Sequence, residues 1–234
     1  MEESVLRRGV AEFIGTFTLI YVGAGSIAAN ELTKGQVGLV GIALAHGLAI
    51  GVMVSAAAAI SGGHFNPAVT IGALAARKIA ALVALAYIVA QCLGAIAGAA
   101  VLRLSVPGGV LDRVAMGTPA PGQGVSVAEV FVVEVVLTFF LMFVIYGTAI
   151  DQRAHRVGGL FIGLTVSLDI LMGGPISGAA MNPARWLGPA LLGGGGFQNV
   201  WIYWLAPPLG AVAAALLYKY LFEEETAQVP ATAR

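Results

Sequence analysis

Long apolar stretches separated by short polar breaks set the first expectation for this chain. A helix rises 1.5 Å per residue, so crossing the hydrocarbon core of a bilayer takes about 17–25 apolar residues. Six stretches reach that length: 10–29, 37–60, 79–102, 126–150, 157–173 and 200–221, the fifth being the shortest. Two further apolar pieces, 67–76 and 183–192, are about ten residues each, too short to cross. Each follows a stretch containing Gly and Ser and opens on proline, which is favoured in the first turn of a helix because its missing N–H has no intrahelical partner to lose there. They read as half-helices starting just after Asn66 and Asn182, inside the membrane rather than across it. The expected fold class is therefore an all-α membrane protein with six transmembrane helices plus two re-entrant half-helices. Trp186, Trp201, Tyr203 and Trp204 stand near the ends of these pieces, where interfacial anchors are expected.

Composition supports the membrane reading. Of 234 residues 59% are hydrophobic and only 10% charged, against about 25% charged in soluble domains. The 32 glycines let membrane helices approach closely, and Gly47-x3-Gly51 and Gly94-x3-Gly98 place small faces on two spans. A net charge of zero gives no reason to expect nucleic acid. The single cysteine, Cys92, excludes an intrachain disulfide and a cysteine-based metal site, and no cofactor is called for. Arg7 and Arg8 precede a first stretch that is too long for a signal peptide and has no evident cleavage site, so that stretch is expected to remain as a span. Arg7, Arg8, Arg77, Lys78, Arg153, Arg156, Lys219 and Arg234 fall on one side, Lys34, Arg103 and Arg113 on the other; eight against three puts both termini in the cytoplasm.

The two halves repeat. Residues 61–70 (SGGHFNPAVT) match 177–186 (SGAAMNPARW) at an offset of 116, and 86–99 match 202–215 at the same offset. Glu12, Thr16 and Phe17 match Glu134, Thr138 and Phe139 at an offset of 122. Repeats of about 7–103 and 126–222 form a single domain, with 223–234 a polar tail. Three spans per half is an odd number, so the second copy enters the membrane upside down, and the site of such an inverted repeat lies at the midplane. The half-helix N-termini then face each other, each carrying unsatisfied N–H groups and a partial positive charge. An asparagine at each cap holds helix N–H groups with its oxygen and leaves its NH2 to donate. Such an arrangement orients water by its oxygen and repels protons and cations.

With Asn66-Pro67-Ala68 and Asn182-Pro183-Ala184 in matching halves, the chain resembles the aquaporin (major intrinsic protein) family over about residues 7–222. The resemblance implies six tilted helices and two half-helices in a homotetramer, with one pore per subunit, no enzymatic activity, and water and small neutral solutes as what passes. It implies that Arg185 is the arginine of a narrow outer filter, a role that also fits the cost of a charge inside a span. Spacing from the motifs supplies the other filter positions, His46, Ile170 and Ala179. This set looks like that of plant tonoplast intrinsic members, some of which pass ammonia or urea. Glycerol-type members carry Asp after the filter arginine and two aromatic filter residues; here Trp186 follows Arg185 and no filter position is Trp or Phe. By the same resemblance Glu12 and Glu134 support the re-entrant loops. His64 is placed at the cytoplasmic mouth, where it either faces the pore or, like the two glutamates, supports the re-entrant loop.

Other features leave choices open. Asp169 faces either a polar neighbour behind the filter or the outer mouth. His155, with Asp151, Arg153 and Arg156, makes either a pH gate or, the plainer reading, a solvated charged loop. Ser177 and His46 raise an intramembrane protease, yet nothing couples that serine to a base. A secondary transporter also uses inverted repeats, but a midplane without an ion-binding centre speaks against it. The membrane expected from the short termini is a plasma membrane.

Overall fold

The computed structural model describes residues 2–153, 157–194 and 197–223. They form ten α-helices: α1 (Glu2–Thr18), α2 (Gly25–Leu32), α3 (Gly38–Ser61), α4 (Pro67–Ala75), α5 (Ala81–Ser105), α6 (Gly108–Arg113), α7 (Val127–Ile145), α8 (Gly158–Ser177), α9 (Pro183–Leu192) and α10 (Val200–Leu221). A π-helical segment, Leu19–Ala24, joins α1 to α2 in one continuous span, and a second, Tyr146–Ile150, extends α7. Among the described residues six helical stretches are long and apolar enough to cross a membrane, and this is a multi-pass membrane protein. The fifth span, shortest by pattern, runs on to Ser177. The short α6 lies between the halves, where hydropathy shows no span.

Packing follows the repeat. In the first half α1 packs on α3 and α5; in the second α7 packs on α8 and α10. The largest contact joins the halves along α3 and α8. Each half-helix lies on the third span of the other half, α4 on α10 and α9 on α5.

Glycines set these crossings because hydrocarbon gives helices no hydrophobic drive to associate, and close backbone approach gives the packing that helps hold them. A Cβ on Gly47 would collide with Ser167 Oγ and the Gly163 carbonyl, and one on Gly163 would stand 2.5 Å from the Gly47 carbonyl. Gly94 of α5 is pressed against the Phe13 carbonyl of α1, and 116 residues on Gly210 of α10 is pressed against the Val135 carbonyl of α7. Gly72 and Gly188 repeat the relation between the half-helices and the opposite spans, against Ala211 and Ala95.

The charged residues collect at opposite ends. At one, Lys78 pairs with Glu223, Lys219 donates to the Ala76 carbonyl, and Arg153 donates to the Phe222 carbonyl. At the other, Arg113 pairs with Glu31, and Arg103 reaches the Leu192 carbonyl. The α4 C-terminus thus lies at one surface and the α9 C-terminus at the other. Asp151 is not in a simply solvated loop: it is buried, and hydrogen bonds from the Arg153 guanidinium and backbone N–H hold its carboxyl well below the usual carboxylate range. His155, Arg156 and the tail from residue 224 lie outside the described residues.

Gly163→Val should force α3 and α8 apart at their closest approach. Overpacking costs about 1–3 kcal/mol, so the detergent-solubilised variant should unfold several degrees below the parent by thermal scan; an unchanged midpoint would contradict the crossing.

Candidate functional site

The two loops entering the half-helices, residues 62–66 and 178–182, are non-helical and mostly buried. Their backbone cannot find partners in lipid and must be satisfied by protein. Glu12 does this for the first: Oε1 accepts from Ser61 Oγ (2.7 Å) and His64 N (3.0 Å), and Oε2 from Phe65 N (2.6 Å) and Gln91 Nε2 (2.8 Å). Glu134 does it for the second, with Oε1 accepting from Ser177 Oγ (2.7 Å) and Ala180 N (2.8 Å), and Oε2 from Met181 N (2.7 Å). Tyr87 and Tyr203 donate to the carbonyls of Ser61 and Ser177, each at 2.7 Å. Both carboxylates are fully buried.

Phe65 and Met181 have φ of 49° and 50°, a left-handed conformation uncommon for such bulky residues. The residue after each caps a half-helix. Asn66 Oδ1 accepts from Ala68 N (2.8 Å), and Asn182 Oδ1 from Ala184 N (3.0 Å) and Arg185 N (3.2 Å). Each asparagine amide then crosses to the other half. Asn66 Nδ2 donates to the Met181 carbonyl (2.8 Å) and Asn182 Nδ2 to the Phe65 carbonyl (2.9 Å). One hydrogen of each NH2 is thus engaged by the opposite half and one remains to donate. Two helix N-termini, with their partial positive charge, meet here.

A narrow channel passes this junction. Its lining includes Asn66 and Asn182 and all four residues picked out by spacing, His46, Ile170, Ala179 and Arg185. Space open to the centre of a water molecule is only about 30 Å³, room for a few waters. Arg185 is buried, and its Nε and Nη1 find no acceptor in the protein. His46 Nδ1 lies 2.8 Å from the Ile42 carbonyl, which can only accept, so Nδ1 carries the hydrogen and Nε2 is the acceptor nitrogen. His64 also lines the channel; its Nδ1 is 3.1 Å from Thr70 Oγ1, which Gln91 bonds from behind at 3.0 Å.

Shifting the four filter positions by the 116-residue offset gives Ile162, Val54, Gly63 and Val69, and all of these line the channel too. The offset alone could have found them. Ser61, Ser177, Tyr87 and Tyr203 were equally findable, since they stand in the aligned segments. Trp186 and Tyr203 are not interfacial anchors: both are buried, stacked with ring centroids 5.8 Å apart behind the second half-helix. Asp169 meets neither expectation. It is fully buried, does not line the channel, and neither carboxyl oxygen has a hydrogen-bond partner; nothing in the structure explains it. Among the described residues no cluster of three or more His, Cys, Asp or Glu is placed to hold a metal.

A family model described as Major intrinsic protein matches residues 1–218. The chain is 44% identical over 229 residues to probable aquaporin TIP3-2 of Arabidopsis thaliana, covering 92% of this chain and 84% of that protein. It is 44% identical over 214 residues to Nodulin-26 of Glycine max, covering 91% and 77%. The X-ray structure of the aquaglyceroporin from Plasmodium falciparum superposes with a TM-score of 0.84 at 28% identity, covering 93% of this chain and 96% of that one.

The two kinds of buried carboxyl should respond oppositely to removal. Glu134→Ala orphans three donors at about 1–3 kcal/mol each, and at about 2–4 °C per kcal/mol this lowers the unfolding midpoint by roughly 6 °C or more. The isosteric Asp169→Leu removes an unpartnered polar group and should raise the midpoint. Thermal unfolding of both variants in one detergent checks the signs.

Proposed function

The chain belongs to the major intrinsic protein family, and on that footing we propose that it is a passive channel for water, closed to protons and ions, that also passes small neutral solutes such as ammonia or urea. The family's members are channels rather than enzymes. The observation that carries the proposal is the meeting of Asn66 and Asn182, cap to cap, inside a narrow channel lined by both asparagines and by Arg185.

The mechanism follows from donors and charge. A water at the junction gives its oxygen to the remaining hydrogens of the two amides, so its own hydrogens point outward along the file. That orientation breaks a hydrogen-bonded proton wire, and the converging helix dipoles oppose any cation. Toward one end, His46, Ile170, Ala179 and Arg185 form the filter. Arg185 donates to an oxygen of the permeant and repels cations, His46 offers an acceptor, and Ile170 and Ala179 present aliphatic walls. Ammonia and urea carry the donors that His46 accepts, and urea carries the carbonyl that Arg185 serves. Glycerol is disfavoured by a filter that holds no Trp or Phe and by Trp186 standing where glycerol-type members have an acidic residue.

The domain is a single channel unit built of two repeats, about 7–103 and 126–222. In the membrane, which we place at the cell surface, both termini face the cytoplasm. The gathering of Lys78, Arg153 and Lys219 at the end where α10 finishes supports that orientation. Assembly as a homotetramer is carried over from the family resemblance.

Proteoliposomes containing the protein should shrink far faster than empty vesicles under osmotic shock, without saturation, and should take up ammonia and urea above the blank. Water flux alone would restrict the channel to water. Asn182→Asp puts an acceptor and a potential negative charge at the junction. Proton leak, followed with a pH dye under an imposed potential, should rise in this variant while water flux persists; an unchanged leak would count against the mechanism.

A further inference from the structure

His46 belongs to α3, yet its ring is seated against the first span. A Cβ built on Gly23 would stand 2.5 Å from His46 Cδ2, 2.6 Å from Nε2 and 3.0 Å from Cγ. The three nearest atoms all belong to that one ring, so the imidazole occupies the space a side chain at position 23 would take. Gly23 lies in the π-helical segment Leu19–Ala24, a local widening of the helix often found at functional sites. On its other edge the ring is tied by Nδ1 to the Ile42 carbonyl at 2.8 Å. The remaining side of His46 lines the channel.

The second half supplies a comparison within the molecule. At the 122-residue offset Gly23 corresponds to Ile145, and at the 116-residue offset His46 corresponds to Ile162. Both isoleucines line the channel. Where one half sets two aliphatic side chains, the other sets a glycine and an imidazole. The helix does not need glycine at this place, since the equivalent place holds Ile145; the ring of His46 does.

We propose that Gly23 is a specificity-determining residue, which by withholding a side chain seats His46 against the first span and so sets the width of the filter. The inference rests on the filter reading given above. An alanine at 23 needs the ring to retreat by roughly 1 Å to reach ordinary contact. With Ile42 holding one edge, the open direction is the channel. His46→Ala acts the other way and widens the filter, while a valine at position 23 in that background enters the emptied space and narrows it again.

The test uses the full chain in proteoliposomes, with water and urea permeability measured for the parent, Gly23→Ala, His46→Ala and the double variant Gly23→Val/His46→Ala. His46→Ala should raise the urea-to-water ratio by about tenfold or more, since even a methylene-sized change gives that much discrimination in a fitted pocket. Gly23→Ala should lower urea and water permeability together, and the double variant should return the ratio to the parent's or below it. A His46→Ala variant with an unchanged ratio overturns the filter reading and the Gly23 proposal with it. A His46→Ala variant that widens, beside a double variant that keeps the widened ratio, overturns the role of Gly23 alone. Should Gly23→Ala fail to fold, the double variant decides, because its valine fills space the ring has left. A double variant that fails to reach the vesicles while His46→Ala reaches them also overturns the proposal.

Discussion

Hydrocarbon offers a peptide group no hydrogen-bond partner, and two stretches of irregular backbone lie buried among the spans of this chain. Glu12 and Glu134 meet that constraint, and much else follows from how they do so. Each carboxylate gathers the amides on the last turn before a half-helix, and in doing so holds Phe65 or Met181 in a left-handed conformation. The carbonyl of that residue receives the asparagine amide of the opposite half. The caps, the facing dipoles and the bore between them thus hang on two acidic side chains that themselves never line the channel.

The pairing is symmetric in geometry and asymmetric in chemistry. Among the residues lining the channel, Arg185 and His46 correspond to Val69 and Ile162 at the 116-residue offset. Behind the half-helices, Gln91 of the first half donates to both Thr70 and Glu12, whereas at the counterparts of Thr70 and Gln91 the second half sets Trp186, stacked on Tyr203, and Pro207. One scaffold therefore carries polar and apolar side chains at equivalent places. The scaffold comes from residues the halves share, and the chemistry from residues they do not.

Much of this was legible in the residues. Spans announce themselves because a bilayer enforces length, the half-helices because each opens on Asn-Pro, and the repeat because its offsets are constant. The quartet His46, Ile170, Ala179 and Arg185 was reached through the family resemblance, by spacing from the two tripeptides. Other features left no such trace. Trp186 and Tyr203 look like anchors because an aromatic near the end of an apolar stretch suits both an interface and a buried stack, and only the packing of α9 against its neighbours decides. The aliphatic lining of the channel is hidden for a similar reason: Val54 and Val52 read alike, although one faces the bore and the other is exposed on the outer surface. Gly23 leaves no mark in the pattern, because what matters there is the absence of a side chain opposite a residue 23 positions away, in a π-helical segment that hydropathy cannot reveal.

The crossed amide bonds also bear on how the chain is made. Asn66 waits for the carbonyl of Met181, 115 residues downstream, and α4 waits for α10, at the end of the described chain. Synthesis at about 5–20 residues per second separates the two partners of the first bond by roughly 6–23 seconds. Throughout that interval the first re-entrant loop has Glu12 but not its opposite number. The early half can therefore enter the membrane and fold its spans, while closure of the bore belongs to the last stage of biogenesis.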